Sequence, residues 1–240
     1  MSEYVAPAVL LRRAFDAVLS EGVRPFLRSR GFAKSGRTFR RTRGPVVDMI
    51  NFQGNKWNSV TPHHGFFVNV GVGSSEIDAA YNAQRKDGTS PTSAGYILET
   101  RWESLVPDAP KEVTFDETTD MINFADMLCT NLDRVLAVID PIDTTAALAQ
   151  WAISNKSLHR MARTCSYLAV IGDTESLTHY VSIARERFGD SPRWPVVGRE
   201  ICDATGAAGR SLQDQGLLDQ PVRPKAAPLV DRENRADTGG

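Results

Sequence analysis

With 240 residues, 41% of them apolar and 24% charged, and a formal net charge of −1, the chain holds enough hydrophobic material for one substantial core. That composition excludes a wholly disordered, collagen-like or membrane-embedded protein. The near-neutral balance supplies no global attraction toward nucleic acid or a lipid surface.

From Pro7 to Arg30, residues Leu11, Phe15, Val18, Leu19, Phe26 and Leu27 recur at helical spacing. They predict an amphipathic helix that Gly22 and Pro25 interrupt and Gly31 ends. The glycine-bounded stretch 36–44 predicts an outer strand. Two further strands follow, 46–55 and 65–73, joined by a loop from Asn55 to His64 that carries Trp57, His63 and His64. Side chains alternate along a strand, so Ile50 and Phe52 oppose Met49, Asn51 and Gln53 in the first. In the second, Phe66, Val68, Val70 and Val72 oppose Phe67, Asn69 and Gly71. Paired as a hairpin, the two strands present one apolar face and one amide-bearing face.

Residues 74–94 turn polar and small, predicting a long surface loop with one short helical piece. Tyr96 to Leu105 alternates again as a fourth strand, with Tyr96, Leu98 and Trp102 on one side and Ile97, Glu99, Arg101 and Glu103 on the other. The strongest helical pattern runs from Thr118 to Ile139 and is closed by Pro141. Beyond it the chain is helical in pattern over 143–153, 157–171, 175–188 and 196–218. A tail from Gln220, rich in proline and charge, is expected to be disordered. The expected fold class is therefore α+β, an antiparallel sheet of about four strands covered on one face by helices. The expected divisions are an α+β domain at 1–140, a helical extension at 141–218 and a disordered tail at 219–240.

Three cysteines, Cys129, Cys165 and Cys202, are odd in number and widely spaced. They predict reduced thiols and a cytoplasmic location rather than a disulfide framework. The N-terminus has no signal-peptide pattern, and no run of about 18 apolar residues marks a membrane span.

The ordered residues Gly31, Phe32, Phe39, Asn51, Phe52, Gln53, Phe67, Asn69 and Gly71, with Arg101 in the following strand, carry a resemblance. The chain resembles the bacterial family catalogued as domain of unknown function 4304 over about its first 140 residues. The resemblance implies a helix, an aromatic-containing strand, an Asn-Phe-Gln strand and a Phe-x-Val-Asn-x-Gly-Val strand. It implies no activity.

Asn51, Gln53 and Asn69 share a side of the hairpin, and Arg101 and Glu99 are expected to join them. Amides offer donors and acceptors together, so this face is the candidate recognition surface, with Gly71 and Gly73 leaving room for close approach. The blander reading is a hydrated sheet face whose amides bond one another. Trp57, His63 and His64 are candidate loop contacts. Adjacent histidines on an extended loop point apart, and His159 and His179 have no ligand at metal spacing, so no metal or cofactor is expected. No catalytic residue is assigned.

The preferred reading is a non-catalytic surface for another protein. An alternative is an enzyme on a polar or nucleotide-like small molecule, with Gln53, Asn69, Arg101, Glu99 and His64 lining its pocket. A further alternative is weak nucleic-acid binding through the basic stretch 24–43, where Arg37, Arg40, Arg41 and Arg43 lie beside Phe32 and Phe39. The oligomeric state is not legible.

Overall fold

The computed structural model describes residues 7–84 and 95–219. The tail from Gln220 and the second half of the 74–94 loop lie outside the described residues. Helix α1 (Pro7–Ala17), a π-helical stretch (Val18–Val23) and α2 (Arg24–Ser29) make one helical run. Gly22 does not end this helix. A Cβ there would lie 2.8 Å from the Cβ of Ala125, so the missing side chain lets a later helix, α4 (Met121–Ile139), pack against it. Gly31 does stop the run, at φ +87°.

Six antiparallel strands follow: β1 (Ala33–Ser35), β2 (Thr38–Arg43), β3 (Val46–Gly54), β4 (His64–Ser74), β5 (Tyr96–Arg101) and β6 (Val113–Phe115). Their order is β1-β2-β3-β4-β5, with β6 pairing the first residues of β4. The sheet is thus wider than the expected four strands, because β1 and β6 are too short to show a period. The fourth strand is also shorter than expected: it ends at Arg101 and Trp102–Ser104 forms a 3₁₀ turn. Trp102 is fully buried, as its pattern suggested, and its indole N–H donates to the Pro110 carbonyl at 2.7 Å.

The apolar face carries Phe39, Ile50, Phe52, Phe66, Val68, Val70 and Val72, all buried. Phe15 of α1 and Phe124 of α4 close over it. The Phe66 ring lies 4.6 Å from Phe15, 6.0 Å from Phe52 and 6.3 Å edge-on from Phe124. Asp120 caps α4, accepting from the amides of Ile122 and Asn123 at 2.9 and 3.2 Å.

Helix α3 (Ser75–Gln84) fills the start of the polar 74–94 stretch. Five helices follow α4: α5 (Thr145–Ser154), α6 (Met161–Ile171), α7 (Thr174–Phe188), α8 (Trp194–Thr205) and α9 (Ala207–Asp214). The last expected helix is split by Gly206, at φ +56°. Buried residues of these helices, among them Leu148, Cys165 and Tyr180, join the same continuous apolar cluster as the sheet. Thr145 and Ser74 bond through their hydroxyls at 2.7 Å where α5 meets β4. No helix among the described residues is long and apolar enough to cross a membrane.

Candidate functional site

Register decides which side chains meet on the second face. Asn51 pairs directly with Asn69, and Asn69 with Arg101. Adding Thr38, which pairs with Asn51, gives one cross-strand row of Thr38, Asn51, Asn69 and Arg101. The neighbouring row is Arg40, Met49, Gly71 and Glu99. Because the side-chain period is two, both rows project from the face opposite the phenylalanines. Gln53 stands beside them, opposite Phe67.

The amide of Asn69 donates to Asn51 Oδ1 and Gln53 Oε1, each at 3.1 Å, and Asn51 donates to Thr38 Oγ1 at 2.8 Å. These bonds hold the three amides in fixed orientations, yet they do not exhaust them. Among the described residues the Asn69 side-chain carbonyl and the Gln53 amide nitrogen have no protein partner. Gln53, Glu99 and Arg40 are exposed, and Asn51, Asn69 and Arg101 are half-buried. Together with Tyr96 they line a shallow concavity of about 410 Å³. The expected convergence of Asn51, Gln53, Asn69, Glu99 and Arg101 is therefore present on a partly exposed face that no described helix covers.

Two features differ from the sequence reading. A β-bulge between Val72 and Gly73 pairs Leu98 with Val72 but Tyr96 with Gly73. Ile97 becomes the extra residue and is fully buried, while Tyr96 moves to the amide face. The adjacent apolar pair Ile97-Leu98 was the available signal for the bulge. Second, Gly71 and Gly73 do not leave open space. A Cβ at Gly71 would lie 2.8 Å from the Tyr96 ring and 3.1 Å from Met49 Cε, and one at Gly73 would meet the Gly95 carbonyl oxygen at 2.8 Å. The glycines seat Tyr96 against the sheet, with its hydroxyl 3.4 Å from Arg40 Nε.

Glu99 is met from outside the sheet: His159 Nε2 lies 3.0 Å and Arg160 Nη2 3.9 Å from its carboxylate. Sixty residues separate the partners, so no local pattern pointed to the contact. Arg101 has no carboxylate partner among the described residues, and its guanidinium rests 3.9 Å above the Phe67 ring.

The basic stretch does not form a continuous patch. Strand β2 divides its arginines by parity, leaving Arg40 on the amide face while Arg41 and Arg43 turn toward the helices. Asp48, fully buried, accepts from Arg41 Nε at 2.8 Å and from Arg43 Nε and Nη2 at 2.9 and 3.0 Å. Arg41 also reaches Asp140, and Arg43 donates to the carbonyls of Ile139, Asp140 and Ile142 at the end of α4. Cations at a helix C-terminus are favoured by its partial negative charge. Arg37 is paired with Asp16 at 3.0 Å. The acids that neutralise these arginines, Asp16, Asp48 and Asp140, lie outside the basic stretch 24–43, which hid them from a linear reading.

His64 is likewise not a loop contact. It opens β4 at 4% exposure, on the core side of the sheet, 4.9 Å from the Phe15 ring and 5.4 Å from Phe115. Burial, followed by the charge of Arg37, lowers its pKa below the ordinary value. Because His64 and Asn69 face opposite sides, the small-molecule pocket imagined around both does not assemble. Trp57 is 57% exposed and His63 is exposed, and both lie on the loop at the Gln53 end of the hairpin. Asn58 fastens that loop, bonding both the amide and the carbonyl of Gly65 at 2.8 Å. Among the described residues no three His, Cys, Asp or Glu side chains group to hold a metal ion. Burial pushes the Cys165 thiol well above its usual range, so this cysteine is a core residue.

No curated protein and no solved structure matches the chain. The model of the family described as Domain of unknown function (DUF4304) matches residues 23–142, the helix-and-sheet portion that builds the amide face, and the chain belongs to that family.

Proposed function

We propose that this protein binds another protein through the amide face of its sheet and catalyses no reaction. The observation that carries the reading is the row Asn51, Asn69 and Arg101, set abreast on three adjacent strands and uncovered by any described helix. Its hydrogen-bonding groups are held in place before a partner arrives, which lowers the ordering cost of association. Three unpaired cysteines suit a reducing compartment such as the cytoplasm.

The separation of Arg40 from Arg37, Arg41 and Arg43 weighs against a nucleic-acid surface, which needs several cations placed to follow a phosphate backbone. An Asn69→Ala, Arg101→Ala double variant tests the reading. Its thermal unfolding should stay close to that of the wild type, while proteins that co-purify with the wild type from its native cell are lost. An unchanged set of co-purifying proteins would remove the sheet face from consideration.

A further inference from the structure

We infer that the partner presents an acidic, extended segment, and that Arg40 and Arg101 are the two residues that select it. This inference rests on the surface reading above and deepens it. Its ground is the distribution of charge over the sheet. Arg37, Arg41 and Arg43 are each paired with an aspartate, whereas Arg40 and Arg101 have no carboxylate partner among the described residues. Glu99 is the sole acid among the residues lining the concavity, and Arg160 and His159 stand against it. The face therefore carries two cations outside any ion pair among the described residues, separated by a ladder of amides, and its one acid is already engaged from outside the sheet.

Spacing narrows the partner further. Arg40 lies on β2 and Arg101 on β5, three strand intervals apart and offset by two residues along the strands, or about 16 Å between backbones. An extended chain advances about 13 Å in four residues, and side chains four apart project from the same side. With the reach of the two carboxylate side chains added, an acidic residue at each end of such a step spans both guanidinium groups while the backbone between them lies over the amides. The Phe67 ring beneath Arg101 holds that guanidinium at the surface, so little side-chain freedom is lost when a carboxylate docks. Two isolated cations give an acidic peptide its two contacts but give a nucleic acid no continuous track.

The test follows the side-chain amide NMR signals of Asn51, Gln53 and Asn69 in labelled full-length protein. The probe is a serine–glycine–threonine decapeptide whose only charged side chains are two glutamates four positions apart. Controls replace the glutamates with glutamine or with lysine, and a fourth arm uses a decamer of oligouridylate. The expected result is a saturable shift with the glutamate peptide, weakened about tenfold or more by glutamine substitution, by the Arg40→Gln, Arg101→Gln double variant, or by molar salt. Equal response to the glutamate and glutamine peptides, no response to any probe, or a response to oligouridylate at lower concentration overturns the inference. A photoreactive residue at position 53 separates this from failure of the underlying reading. Partner adducts that persist unchanged in the double arginine variant sink acidic recognition and leave the surface standing, whereas adducts absent even from the wild-type background sink both.

Discussion

The two faces of this sheet are built by the same strands and both carry arginines, yet they treat charge in opposite ways. On the covered face Arg41 and Arg43 converge on buried Asp48 and on the end of α4. On the open face Arg40 and Arg101 meet a tyrosine hydroxyl and an aromatic ring. A shift of one residue along β2 separates a structural arginine from one available to a partner. Charge density along a sequence is thus a poor guide to a binding surface until strand parity has sorted it.

The sharpest way to break the comparison is to strip the covered face of its anion. Asp48→Ala leaves two guanidinium groups facing a buried gap and should cost on the order of 3–5 kcal/mol in equilibrium urea unfolding. A loss below about 1 kcal/mol, the range of exposed pairs, would place Asp48 among surface acids and dissolve the contrast.

A second test uses acid. His64 has a lowered pKa in the folded protein, so on acidification the unfolded chain takes up its proton first. The stability it supports is complete above the unfolded value of about 6.5 and drains away as pH falls toward the folded pKa. The melting temperature of the wild type should therefore fall more steeply between pH 7 and pH 5 than that of His64→Leu. Parallel profiles would contradict burial of a neutral imidazole on the core side.

The smallest effect is expected on the open face. Asn69→Ala removes two partly exposed hydrogen bonds and should cost about 1 kcal/mol, and Arg40→Gln should stay within about 0.5 kcal/mol. Losses of several kcal/mol in either variant, measured by the same urea titration, would make this face a structural element.

The alternation of Asn51 and Gln53 against Ile50 and Phe52, and of Asn69 against Val68 and Val70, was enough to place the hairpin and its amide face from the sequence. Strand periodicity is local, and the buried face reports it in full. Three kinds of feature were not legible. Strands β1 and β6, three residues each, are too short to carry a period. The bulge at Ile97 moved Tyr96 across the sheet, which a regular alternation assigns to the wrong side. Contacts such as His159 with Glu99 and Arg43 with the end of α4 join residues 60 and about 100 positions apart, and no linear pattern records them. The basic stretch 24–43 misled for the same reason, since Asp16, Asp48 and Asp140 lie outside it in sequence and beside it in space.

The claim that the amide face is the working surface is met most directly by placing one photoreactive residue at position 53, on that face, and another at position 138, on the exposed side of α4. Irradiation in the native cell should give a defined protein adduct from position 53, lost in the Asn69→Ala, Arg101→Ala background, and none of that mass from position 138. An adduct that forms equally from both positions, or only from 138, would contradict the account.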